Sequence, residues 1–164
     1  MSTGVIAVPA GPWDPDGAQV VADGWFPAVK LDTVRYSVRL GKGTITTQRL
    51  TMAIEGGMLH AFRELADWRT AKAAAGIAKL EDVTADQLNG ANLAVKLWER
   101  IVTNFAAADL YASDRDVSAT DQGLDRAAEK DTAADEARRV ALGAVADLRS
   151  IGGAQIGRNR VRLI

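Results

Sequence analysis

TTQRLTMAIEGGMLHAFRELADWRTAKAAAG, Thr46 to Gly76, decides the fold. Leu50, Ile54, Met58, Ala61, Leu65 and Trp68 recur at intervals of three and four, which is one face of an α-helix. Thr46 or Thr47 is suited to cap its start, and Gly76 follows its end at about Ala75. Met52, Leu59, Phe62 and Ala66 form a second apolar stripe beside the first, so the spacing predicts a helix packed on two sides. Gly56 and Gly57 sit mid-helix, where each costs about 1 kcal/mol against alanine. That cost predicts a bend or a close helix crossing at this point.

Helical periods continue downstream. Ala94, Leu97, Ile101, Phe105 and Ala108, with Trp98 and Val102 alongside, predict a helix from about Ala91 to Ser113. Ala134, Ala137, Ala141, Val145 and Leu148 predict another from roughly Leu124 to Ser150, ended by Gly152 and Gly153. Asp135 and Arg139 are spaced to pair on its wet face. Between the two, SDRDVSATDQG reads as a polar loop. The stretch IAKLEDVTADQLNG is a connector, pinned to the core by Leu80, Val83 and Leu88, with Thr84 as a cap for one turn.

Upstream, Asp32 is placed to cap a short helix from Thr33 to about Leu40, stopped by GKG. Pro9, Pro12 and Pro15 exclude a stable helix before Trp25, and Val5, Ile6 and Val8 suit a short extended piece. The fold class is therefore all-α, a small bundle of about four helices with extended N- and C-terminal arms. Its parts are an arm over residues 1–24, a helical domain over 25–152 and a second arm over 153–164.

Composition narrows the function. At 164 residues one domain with a proper core is expected. The 20 Lys and Arg against 21 Asp and Glu give a net charge of −1, so no basic field over the whole molecule points to nucleic acid. The absence of cysteine removes disulfides, thiolate metal sites and cysteine nucleophiles. No apolar run reaches the length of a membrane span, and the N-terminus lacks a signal-peptide pattern, so a soluble intracellular protein is expected.

The chemistry-bearing residues are few. His60 is the only histidine, one turn from Glu64, and nothing in the sequence supplies a nucleophile for it. One histidine and no cysteine make a poor zinc site. DVTADQLNG lacks calcium-loop spacing, and GKGTIT lacks that of a phosphate loop. No catalytic residue, cofactor or metal is expected.

The C-terminal end, RNRVRLI, carries the remaining signal. As a strand it places Arg158, Arg160 and Arg162 on one side, and Asn159, Val161 and Leu163 on the other. Such a strand, just past two glycines, suits addition to a partner's sheet edge; the other reading is a frayed terminus whose arginines serve solubility. Ile156, Arg158, Arg160, Val161, Arg162, Leu163 and Ile164 are the candidate partner-binding arm. Trp25 and Phe26, whose large rings seal the core or meet a neighbour, join Met52, Leu59 and Phe62 as candidate contacts between subunits.

Residues 25 to 151 resemble the head completion (head stabilisation) proteins of contractile-tailed temperate phages, the GPL family. The pieces that carry the resemblance are WFP, AIEGGMLHAFRELADWR, KAAAGIAKLEDVTADQLNG, LWERIVTNFAAADLYASDRDVSAT and VADLRSIGG, in that order. Both ends depart from the family pattern. The resemblance implies a non-catalytic virion protein, a connector subunit that forms a ring, usually a dodecamer. It would dock on the portal after DNA packaging, stabilise the filled head and offer the tail attachment site. Implied partners are copies of the chain, the portal, a tail-completion or neck protein, and genomic DNA held without sequence preference. The implied location is the virion neck, after assembly in the host cytoplasm. The alternative is a small helical nucleic-acid-binding protein using RNRVRLI as a basic arm. The even charge balance and the lack of a basic helix face stand against it.

Overall fold

The computed structural model describes residues 14–38, 45–113 and 121–153, with 121–130 described as backbone only. The chain is mostly helical. Strand β1 (Gln19–Val20) pairs antiparallel with β2 (Val29–Lys30), Val20 opposite Val29. Helix α1 (Leu31–Ser37) follows directly, then α2 (Thr47–Ala74). A 3-10 turn (Leu80–Val83) and a hairpin of β3 (Gln87–Leu88) with β4 (Ala91–Asn92) lead to α3 (Leu93–Ser113). Helix α4 (Asp121–Arg149) completes the described bundle.

Helix α2 forms as its sequence pattern predicts. Thr46 is its cap, its hydroxyl oxygen accepting from the Arg49 N–H at 3.2 Å. Leu50, Ile54, Met58, Ala61 and Leu65 are buried, and Trp68 is half-buried. The glycine pair marks a close crossing with α3. A Cβ on Gly57 would stand 2.7 Å from the Val102 carbonyl oxygen and 3.0 Å from the Ala106 nitrogen. The second stripe does not behave as expected: Met52, Leu59 and Ala66 are exposed and only Phe62 is partly covered. The described chain supplies nothing to cover that side of α2.

Helix α3 is the centre of the body. It packs along both α2 and α4, which meet each other far less. Trp98, Ile101, Val102, Phe105, Ala106, Ala108 and Leu110 are all buried. Small residues on α4, Ala134, Ala137, Ala141 and Ala144, let the two axes approach closely. Val145 and Leu148 fill the gaps lower down.

Several boundaries differ from expectation. Helix α1 starts at Leu31, and Lys30 stands at the cap position without a side-chain hydrogen bond. Asp32 lies in the first turn instead of capping it. The pull of Leu31 and Val34 onto the core, and the Leu31 N–H bonded to the Ala18 carbonyl, set that start. The helix ends at Ser37, short of Leu40.

Helix α3 starts two residues later than predicted, because Ala91 and Asn92 are strand and the Asn92 carboxamide oxygen accepts from the Val95 N–H. Leu88 is 59% exposed and pins nothing, since its two-residue strand lies on the surface. On α4 Asp135 pairs with Arg138 and Glu136 with Arg139, each one residue closer than the expected Asp135–Arg139.

The N-terminal boundary also moves. Residues 14–24 belong to the body: Val20 is buried and the Asp14 carboxylate is held by Arg35 and Thr47. Residues 1–13, the GKG stretch at 41–43, residues 114–120 and the tail from 154 lie outside the described residues.

Candidate assembly surfaces

The five candidate contact residues separate into two groups. Trp25 and Phe26 turn inward, at 7% and 3% exposure, which corrects their reading as contacts between subunits. Asp23 starts the turn that aims them, one carboxylate oxygen accepting from the N–H groups of Trp25 and Phe26. Phe26 stacks on Trp98 at 4.2 Å between ring centroids, and Phe62 stacks on the same indole at 5.8 Å. The indole nitrogens of Trp25 and Trp98 are both satisfied. Trp25 Nε1 donates to the Ile77 carbonyl at 3.1 Å, and Trp98 Nε1 to the Pro27 carbonyl at 2.9 Å. The chain spends these rings on its own core.

Met52 and Leu59 remain outside, at 63% and 67% exposure. They are seven residues apart, two helical turns on one side of α2, and exposed Ala66 continues the line a further seven on. Glu55 and Arg63 flank this ridge, and neither has an ion-pair partner among the described residues.

A cleft of about 500 Å³ opens on another side of the body. Its walls are Thr33 and Ser37 of α1 and Ala133, Glu136 and Val140 of α4. Its floor is a stripe of α3 running from Lys96 to Tyr111. Thr103 lies in that floor, 8% exposed, with no hydrogen-bond partner for its hydroxyl among the described residues. Lys96 pairs with Glu99 at 3.4 Å. The Arg139 guanidinium hydrogen-bonds Glu136 and holds that carboxyl below its usual range. Arg100 has no ion-pair partner among the described residues.

A further polar cluster is structural. Asp14 accepts from Arg35 Nε at 2.5 Å, from Arg35 Nη2 at 2.7 Å and from the Thr47 hydroxyl at 2.7 Å. These bonds, Arg35's first, hold the Asp14 carboxyl below the usual carboxylate range. Arg35 also donates to the Ile45 carbonyl, so one guanidinium ties the N-terminal segment and α1 to the start of α2.

His60 and Glu64 are both exposed, and the nearest ring to His60 is Phe105, at 5.4 Å. No group of acidic or histidine side chains among the described residues is placed to hold a metal ion. No helix among the described residues is long and apolar enough to cross a membrane. The candidate arm residues Ile156, Arg158, Arg160, Val161, Arg162, Leu163 and Ile164 lie outside the described residues.

Comparison with known proteins decides what such a body is for. The family model described as "Phage head completion protein (GPL)" matches residues 20–161. The chain belongs to this family of phage head completion proteins. It is 37% identical over 144 residues to the head completion/stabilization protein of Escherichia phage P2, covering 88% of this chain and 82% of that protein. No solved structure matches. The head completion family is structural and not known for catalysis, and its members are associated with the virion. Sequence reasoning did not anticipate the cleft, which three separate helices create and no local pattern announces.

Proposed function

We propose that this head completion protein is a subunit of a connector ring that docks on the portal after DNA packaging, stabilises the filled head and provides the site of tail attachment. The family match over residues 20–161 carries the reading. Physical features agree with it. The helical body completes its core without help, yet leaves Met52, Leu59 and Ala66 uncovered along one helix. A head-to-tail contact between copies closes into a ring when the rotation allows, and needs two different surfaces on one chain.

The C-terminal arm hooks onto the portal by backbone pairing in this reading, with Val161 and Leu163 inward and Arg158, Arg160 and Arg162 toward acidic groups, phosphate or water. Arginines that face the channel hold the genome's phosphates without reading its sequence. A net charge of −1 keeps that hold weak enough for the DNA to leave. The partners are further copies of the chain in a dodecamer, the portal, a tail-completion or neck protein, and the packaged DNA. The site of action is the virion neck, reached after assembly in the host cytoplasm.

The test uses heads from an infection in which this chain is missing, supplied with the full-length chain or with a version ending at Gly153. Electron microscopy and DNA retention are the readouts. The full chain is expected to add a ring under the portal and hold the DNA, and the shortened chain to leave heads bare and leaking. Heads that retain DNA and show no added ring with the full chain reject the reading.

A further inference from the structure

We infer that the ring contact joins the α2 ridge Met52–Leu59–Ala66 of one copy to the α1/α3/α4 cleft of the next. The inference rests on the ring reading above and goes further by naming both surfaces.

The two surfaces lie on nearly opposite sides of the body. Helix α3 presents Val102, Ala106 and Asp109 to the glycines of α2. Its cleft stripe, Lys96, Arg100, Thr103, Ala107 and Tyr111, is centred roughly 130° further round at 3.6 residues per turn. The ridge itself faces away from the core, since Leu50, Ile54 and Leu65 on its far side are fully buried. One surface is convex, the other concave. Each is therefore unable to pair with itself by shape, which disfavours a twofold dimer and favours a head-to-tail contact.

Their lengths agree. Met52 to Ala66 spans about 21 Å of helix, and Lys96 to Tyr111 about 22 Å, at 1.5 Å per residue.

Their heights agree as well. Arg49 Nη2 donates to the Ser113 hydroxyl at 2.8 Å, Gly56 lies against Asp109, and Gly57 against Val102 and Ala106. This antiparallel register puts Met52 level with Leu110 and Tyr111, Leu59 level with Thr103, and Ala66 level with Lys96. A closed ring relates copies by rotation without translation along its axis. With the helices along that axis, the ridge of one copy then arrives opposite the cleft of the next with no shift.

Charge fits the same register. Arg63, without an ion-pair partner among the described residues, comes level with Glu99, on a cleft that also carries the Glu136 carboxylate. Glu55 arrives beside Ala107, one turn from the buried Thr103 hydroxyl, which lacks a partner among the described residues. Met52 and Leu59 meet a surface of Ala107, Ala133 and Val140.

The chain has no cysteine, so introduced pairs report without background. Full-length variants supply heads that lack the protein, and the purified particles are mildly oxidised and run on non-reducing gels. Leu59→Cys with Asn104→Cys, and Ala66→Cys with Lys96→Cys, are expected to give ladders of covalent multimers. Each single variant is expected to give none, and neither is the out-of-level pair Met52→Cys with Lys96→Cys. Dimers from Leu59→Cys alone, ladders from the out-of-level pair, or no ladder in particles whose ring is visible would overturn the named surfaces and leave the ring standing. Heads carrying the unaltered chain but no ring would remove both. Leu59→Arg gives a second arm: a folded subunit, checked by circular dichroism, that is excluded from the ring supports the contact, and its normal incorporation overturns it.

Discussion

Trp98 Nε1 donates to the Pro27 carbonyl at 2.9 Å, joining residues 71 positions apart, while Phe26 stacks on the same indole at 4.2 Å. One side chain on the central helix thereby fixes the N-terminal segment twice, by polar and by apolar contact. Trp98→Ala should cost about 3–5 kcal/mol, as expected for removing a fully buried tryptophan. Trp98→Phe keeps part of the stack but leaves a carbonyl short of its donor, and should cost about 1–3 kcal/mol. Urea unfolding of the three proteins, with midpoints compared at equal slope, checks both values.

Gly56 and Gly57 are neighbours with opposite expected responses to alanine. A Cβ on Gly57 meets backbone at 2.7 Å, which cannot yield without separating α2 from α3. A Cβ on Gly56 meets the Asp109 carboxylate at 2.8 Å, the mobile end of a side chain. Each substitution gains up to about 1 kcal/mol of helix propensity. Overpacking of about 1–3 kcal/mol should outweigh that gain at Gly57 and not at Gly56. Thermal melts should show Gly57→Ala lowered and Gly56→Ala unchanged or raised.

The same pair shows how far the sequence could be read. Two glycines inside a strong helical period are costly enough to require a reason, and the reason is a helix crossing. The cap at Thr46 and the inward stripes of α2, α3 and α4 follow from short-range spacing, so they were legible. The fate of exposed apolar residues was not. Trp25, Phe26, Met52 and Leu59 are alike in being apolar, and composition cannot say whether the same chain or another covers them. The cleft floor at Thr103 and the Asp14–Arg35 pair join segments far apart in sequence, where no period operates. The hairpin after the 3-10 turn escaped because its strands are two residues long, too short for alternation to register. Its Asn-Gly dipeptide was the available signal.

That dipeptide makes a test of its own. Asn89 and Gly90 have φ of 51° and 72°, the left-handed pair that a two-residue hairpin turn requires. Gly90→Val places a branched side chain where φ is positive and should cost about 1–3 kcal/mol. Asn89→Gly should stay within about 0.5 kcal/mol of the parent, since glycine enters this region without steric cost. Hydrogen exchange at Leu93, whose N–H is bonded to the Asp86 carbonyl beneath the turn, should accelerate in the first variant only.

Acid should release the N-terminal segment through Asp14. Its side chain is 1% exposed, and hydrogen bonds from Arg35 and Thr47 depress its pKa in the folded state. The unfolded chain therefore binds this proton at higher pH than the folded one does. Stability from the group is complete above the unfolded value of about 4, and declines as pH falls through the lower folded value. Arg35 stays charged throughout, as a guanidinium does across this whole range. Asp14→Asn should cost about 1–3 kcal/mol at pH 7, as for loss of hydrogen bonds to a charged group. The gap between parent and variant should shrink below pH 4, and unfolding curves across that range measure it. A gap that stays constant with pH would mean that the carboxylate charge contributes nothing, and that packing alone seats residue 14 against α1 and α2.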